Sequence, residues 1–251
     1  DGGNNQDDVT TISLPFAFTF YGIVYNSVSI CSNGWISFGE TDMESFRNYT
    51  LPGPGGPSPI VAVFWDDLKT TSGGDIFSYY DQNNDLFIIE WSDMRTYFSN
   101  SSESFQVILY NTGDETPTGD DEMKLQYKTF NNTTTGNYGW GQVHGAYCTV
   151  GIEDATATKG LQYTFNNQYP TAAMQLDDET AILITTRGSD IRMRGDVNQD
   201  GLLDVTDVLI LVDYIIDQDT ANLNPYLADM NQDEIINILD MIGIILIIMD
   251  Y

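Results

Sequence analysis

The 251-residue chain carries 37 Asp and Glu against nine Lys and Arg, a formal charge of −28 with a sequence pI near 4.1. Such a chain makes no partner for nucleic acid, whose phosphates demand a basic face. With one histidine, His144, and no nucleophile elbow, phosphate loop, dinucleotide fingerprint or zinc motif, the common hydrolase and transferase chemistries find no support.

Residues 1–188 read as a β domain. Alternating or short apolar runs occupy Thr11–Tyr21, Val24–Phe38, Pro59–Leu68, Asp75–Tyr80, Leu86–Trp91, Phe105–Tyr110, Met123–Phe130, Tyr147–Ile152, Leu161–Phe165 and Ala181–Thr186. Turn residues separate them, among them Gly53-Pro54-Gly55-Gly56-Pro57, Gly73-Gly74, Asn83-Asn84-Asp85 and Gly113-Asp114. Strands at this spacing, without a helical period among them, predict a mainly β chain built on an antiparallel sandwich of jelly-roll type.

Several residues of this region are open to two readings. Trp35, Trp91, Trp140, Tyr79, Tyr80 and Tyr138 either stack on sugar rings or pack the core, and Tyr138-Gly139-Trp140-Gly141 lies in a glycine-rich loop suited to ligand contact. Asp66 and Asp67 are a candidate metal or sugar site, or a strand end whose carboxylates accept backbone hydrogen bonds. Cys31 and Cys148 fall in two predicted strands and are either a candidate disulfide or two buried thiols. Sequons at Asn48, Asn100, Asn131 and Asn132 fit an exterior setting. No signal peptide or transmembrane run is visible, Asp1 is read as a mature terminus, and a secreted or cell-surface location is expected without a direct membrane span.

After a short linker at 189–194 the composition changes. Residues 196–207 place oxygen-bearing side chains at the spacing by which a calcium loop wraps one ion. Asp196, Asn198 and Asp200 supply side-chain oxygens, Leu202 its carbonyl, Asp204 an oxygen directly or through water, and Asp207 the closing carboxylate, with Gly201 at the sharp turn. Thirty-three residues on, Asp229, Asn231, Asp233, the Ile235 carbonyl, Asn237 and Asp240 repeat the set, with Glu234 where glycine stood. A non-glycine residue there costs about 1 kcal/mol, so the second ion is expected to be the weaker. Between Gly195 and Tyr251 there are 11 Asp, one Glu and no Lys or Arg. Two calcium ions would offset part of that repulsion and link metal binding to folding.

Each loop runs into an apolar helix. Val208, Leu209, Leu211, Val212, Ile215 and Ile216 make the first amphipathic. Met241, Ile242 and the run Ile244–Met249 make the second apolar on all sides, which predicts burial on all sides. It is too short to cross a bilayer, which needs about 20 residues. A module this small cannot surround it, so Ile244, Ile245 and Ile248, with Val205, Thr206 and Leu239 next to the loops, are predicted to face a partner.

Two resemblances follow from these residues. Gly195-Asp196-Val197-Asn198-Gln199-Asp200-Gly201, the repeat Asp229-Met230-Asn231-Gln232-Asp233 and the spacer Asn224-Pro225-Tyr226 resemble a type I dockerin over residues 194–251. That implies a small all-α, duplicated calcium-loop and helix module at 195–251 that docks on a β-sandwich cohesin. Val205-Thr206 and Ile238-Leu239 stand where dockerins often carry small hydroxyl or basic recognition residues, which points away from a conventional cellulosomal cohesin. Phe18-Thr19-Phe20-Tyr21-Gly22, Ser32-Asn33-Gly34-Trp35-Ile36-Ser37-Phe38, Val61–Leu68 and Cys148–Asp154 resemble a β-sandwich accessory domain of large secreted bacterial proteins, with a fainter likeness to nidogen-type extracellular domains. That implies a non-catalytic extracellular module.

Three functions fit: an assembly protein whose module docks on the sandwich of another copy, giving filaments; a polysaccharide-binding subunit carried on a cellulosome-like scaffold; and a small glycosidase drawn from the many carboxylate pairs. Economy favours the first, since the chain holds a sandwich and a docking module without catalytic cargo.

Overall fold

A computed structural model of the protein describes residues 7–70, 73–97, 99–113, 116–135, 147–186, 195–200, 202–217, 220, 223–231, 233 and 235–249. The chain divides into two compact units, Asp1–Thr186 and Arg187–Tyr251.

The first unit is built from strands β1 (Val9–Phe20), β2 (Ile23–Cys31), β3 (Trp35–Phe38), β4 (Ile60–Trp65), β5 (Leu68–Lys69) and β6 (Asp75–Asp81). It continues with β7 (Leu86–Thr96), β8 (Ser102–Tyr110), β9 (Met123–Thr129), β10 (Thr149–Glu153), β11 (Gly160–Thr164) and β12 (Thr180–Ile184). They form two antiparallel sheets, one ordered β1-β2-β3-β4-β10-β11 and the other β12-β9-β8-β7-β5, with β6 also pairing β7. One core of alternating inward residues from both sheets, including Phe18, Phe38, Val63, Phe64, Trp91, Phe105, Val107, Leu125 and Tyr127, joins them face to face. The mainly β, two-sheet architecture is thus the one expected.

Val24–Phe38, read as one strand, is two. The chain turns at Ser32-Asn33-Gly34, where Gly34 has φ +76° and an added Cβ would overlap the Phe64 carbonyl. The close approach lets the Val63 and Phe64 N–H groups both donate to the Gly34 carbonyl, at 3.1 and 2.9 Å. Glycine is required here by both sterics and handedness.

Strand β4 is buried at every position, Ile60 to Trp65, because its sheet is covered on both faces. Its even positions Ile60, Ala62 and the ring of Trp65 pack on the outer side with Cys31, Trp35 and Leu51. The segment 40–59 lies over that face: the Ser45 carbonyl accepts both the Trp35 and Trp65 indole N–H groups at 2.9 Å, and Ser58 and Gly53 donate to the buried Glu153 carboxylate.

The candidate disulfide between Cys31 and Cys148 is not formed; both are buried free thiols. The pleat decides this. Cys31 packs among the outer-face residues Trp35 and Trp65, whereas Cys148 belongs to the core between the sheets, so the two side chains leave the sheet on opposite faces. Burial pushes the Cys31 thiol up to about 12 and Cys148 upward as well, which suppresses thiolate chemistry. Intact mass after alkylation is expected to show no label on native protein and two labels after denaturation without reductant; a chain that stays unlabelled when denatured would restore the bridge.

The second unit contains α1 (Val205–Asp217), the short α2 (Pro225–Ala228) and α3 (Ile238–Met249). Val197, Leu211, Ala228 and Ile244 form its core, with Leu203, Val208, Ile215, Met230, Met241 and Ile248 packed on it. Gly195, at φ +101°, lies against Leu203, Ile244 and Met230, where a Cβ would crowd the first two. The unit does not surround α3. Met241, Ile244 and Ile248 face the unit's own core, while Ile238, Leu239, Ile242, Leu246 and Met249 are exposed. Ile244 is thus buried in the unit's own core and Ile248 is half-buried against it, since positions three and seven apart share one helix face.

Candidate calcium loops and docking helices

The two loops share one pattern of hydrogen bonds. In the first, Asp207 is fully buried and its Oδ1 accepts the Val197 N–H at 2.9 Å and the Asn198 N–H at 3.4 Å, while Oδ2 accepts the Asp204 N–H at 3.0 Å. In the second, Asp240 is equally buried and accepts from Met230 at 2.8 Å, Asn231 at 3.3 Å and Asn237 at 2.9 Å. Asp196 Oδ1 and Asn198 Oδ1 accept the Asp200 N–H, as Asp229 Oδ1 and Asn231 Oδ1 accept that of Asp233. Asp200 Oδ1 receives the Leu202 N–H and Asp233 Oδ1 that of Ile235, both at 2.9 Å. Asp204 and Asn237 each cap the helix that follows, accepting from Thr206 at 2.7 Å and Leu239 at 2.8 Å.

Among the described residues, no three Asp, Glu, Cys or His side chains cluster tightly enough to make a metal cage by themselves. Their chemistry nonetheless fits a hard cation. Every side-chain donor the sequence pattern assigned is oxygen. Asp196, Asp207 and Asp240 are buried, and the sequence from Gly195 to Tyr251 holds no Lys or Arg. Burial pushes the Asp207 carboxyl upward. Asp196, Asn198, Asp200, the Leu202 carbonyl, Asp204 and Asp207 would hold one ion, with the Asp229 to Asp240 set holding another; such an ion supplies a fixed positive centre that ties loop to helix. Gly201 and Glu234 lie outside the described residues.

Each helix also turns an apolar stripe outward. On α1 it is Val205, Leu209, Val212 and Ile216; on α3, Ile238, Ile242, Ile245 and Met249. The spacing of four, three and four residues keeps each stripe on one face. Of the residues predicted to meet a partner, Val205, Thr206 and Leu239 are exposed and Ile245 is half-buried.

The candidate sites of the first unit fare differently. Trp35 and Trp91 are fully buried, so neither is free to stack on a sugar, and Tyr80 is half-buried with its hydroxyl donated to Asp85. Tyr79 is 63% exposed beside Phe77 at 55%. Tyr138, Trp140 and His144 lie outside the described residues. Asp66 is wholly buried, accepts the Asp67 N–H at 2.8 Å through Oδ1, and leaves Oδ2 unpaired; burial pushes its carboxyl well above the usual range. Glu103, missed in the sequence because a lone Glu in a strand carries no pattern, is also buried. It accepts from the Ser101 hydroxyl and the Asn131 and Asn132 N–H groups, and burial pushes it up to about 7.

Taken together, the fold and the loops define a two-module protein, an antiparallel β-sandwich joined to a small duplicated loop-and-helix unit. The family model described as NIDO related matches residues 2–190, and the chain belongs to that family. Residues 194–247 match the type I dockerin domain. No curated protein and no solved structure matches the chain. Type I dockerins bind calcium, dock on cohesin partners and occur in secreted proteins, and both domain types are non-catalytic. Among the described residues no helix is long and apolar enough to cross a membrane.

Proposed function

We propose that this chain is an extracellular, non-catalytic assembly protein whose C-terminal module, folded by two calcium ions, docks on the β-sandwich of a neighbouring copy and builds head-to-tail filaments. The outward stripes of α1 and α3 carry this reading: Val205, Leu209, Ile216, Ile238, Ile242 and Met249 all lie open to water. Contiguous apolar surface of that kind marks an interaction site, and covering it contributes about 25 cal/mol for each Å². Two different surfaces of identical chains do not close on themselves unless the rotation permits, so an open filament or a ring results. In calcium, full-length protein is expected to show a mass by light scattering that grows with concentration, and a version ending at Gly188 to remain monomeric. A full-length chain that stays monomeric, or a truncated one that assembles equally well, would overturn the self-docking reading.

A second reading is supported by Phe77 and Tyr79, exposed side by side on β6. In it the sandwich binds a polysaccharide, and the dockerin domain attaches the chain to a separate cohesin-bearing scaffold.

A further inference from the structure

The two outer faces of the sandwich differ. Residues 40–59 cover that of the β1–β4 sheet through Ser45, Leu51 and Glu153 contacts. The other sheet has no such cover among the described residues, and Phe77, Tyr79, Ala181 and Leu183 are exposed on it. Its strands hold one largely apolar row in register, Tyr79 opposite Ile88, Ile88 opposite Ile108, Ile108 opposite Lys124, and Lys124 opposite Leu183, exposed at Tyr79 and Leu183, half-buried at Ile88 and Lys124 and buried at Ile108. Five strands at their normal spacing make that row about 19 Å long.

Charge is segregated to the same face. Residues 1–186 contain six cations, Arg47, Lys69, Arg95, Lys124, Lys128 and Lys159. Four of them, Lys69, Arg95, Lys124 and Lys128, alternate with the buried residues Leu68, Met94, Leu125 and Tyr127 and so point outward from this sheet. Asp75, Asp81, Glu90, Glu122 and Glu179 share the face, leaving five carboxylates against four cations in a unit that is otherwise strongly acidic. Any acidic partner is repelled least there.

The α1 helix is such a partner in shape and in charge. From Val205 to Ile216 its apolar stripe is about 16 Å long at the rise of an α-helix, a match to the row. Asp213 and Asp217 are exposed and sit to one side of that stripe by helical spacing. On α3 the position equivalent to Asp213 is Leu246. Resting on the self-docking reading, we infer that the receptor for the C-terminal module is the outer face of the β12-β9-β8-β7 sheet of the next copy. The α1 stripe lies along the row from Tyr79 through Ile88 to Leu183, and Asp213 and Asp217 meet Lys124 and Lys128.

Reciprocal charge reversal in the full chain tests this in calcium, with assembly followed by sedimentation velocity. Lys124→Glu with Lys128→Glu, and separately Asp213→Lys with Asp217→Lys, are each expected to weaken association at least about tenfold. An equimolar mixture of the two variants should assemble again, because each acidic module then finds a basic face and each basic module an acidic one. All four residues are at the surface, and unchanged circular dichroism in calcium checks that each variant is folded. If wild type assembles and the lysine variant assembles as well as it does, this face is not the receptor although self-docking stands. If the wild type does not assemble, both fall. Retention on insoluble cellulose or xylan that Phe77→Ala with Tyr79→Ala abolishes, in a variant whose assembly is intact, would give the face to a glycan and overturn the inference.

Discussion

Chelation of calcium is expected to erase the helical circular dichroism of residues 195–251 while leaving tryptophan fluorescence unchanged. The two signals separate the units cleanly, because all four tryptophans lie in the first unit and α1 and α3 in the second. The physical cause is the burial of Asp196, Asp207 and Asp240 in a segment that has no cationic side chain. Without an ion, like charges crowd both loops, and the core of Val197, Leu211, Ala228 and Ile244 is too small to offset them. Each ion present at 100 times its dissociation constant contributes about 2.7 kcal/mol. Asp196→Ala should raise the calcium midpoint more than Asp229→Ala, since Asp196 is buried and Asp229 is only half-buried. Helicity that survives verified metal removal would show that packing alone holds the module.

Two buried carboxyls make the sandwich lose stability as pH rises. Glu103 titrates near 7 in the folded chain against an ordinary value of 4.5, because burial disfavours its charge. The folded state keeps this proton where the unfolded chain has released it, so the contribution of Glu103 to stability is fully present below about pH 4.5 and is lost as pH rises through about 7. A shift of that size corresponds to about 3 kcal/mol. Asp66, whose carboxyl is also pushed up by burial, acts with the same sign. Urea unfolding followed by tryptophan fluorescence is expected to give a higher midpoint at pH 5.5 than at pH 8, with a shallower dependence in Glu103→Gln. An equal slope in that variant would place the titrating group elsewhere.

The sequence by itself determined the parts that depend on local chemistry. The repeat of Asp, Asn and Asp at fixed offsets defines both loops, because their donors are neighbours along the chain, and strand periodicity defines the sandwich because the pleat alternates every two residues. Glycine in Ser32-Asn33-Gly34 did not betray the break in Val24–Phe38, because the need for it comes from the Phe64 carbonyl, thirty residues away. What only the tertiary structure decided depends on which face meets which neighbour. Cys31 and Cys148 lie on opposite sides of one sheet, Trp35 and Trp91 are core and not platform, and Ile244 and Ile248 turn inward while Ile242 and Met249 do not. In an element as uniformly apolar as α3, composition carries no phase; packing against Val197 and Leu211 sets its rotation, and that rotation leaves the outer stripe for a partner.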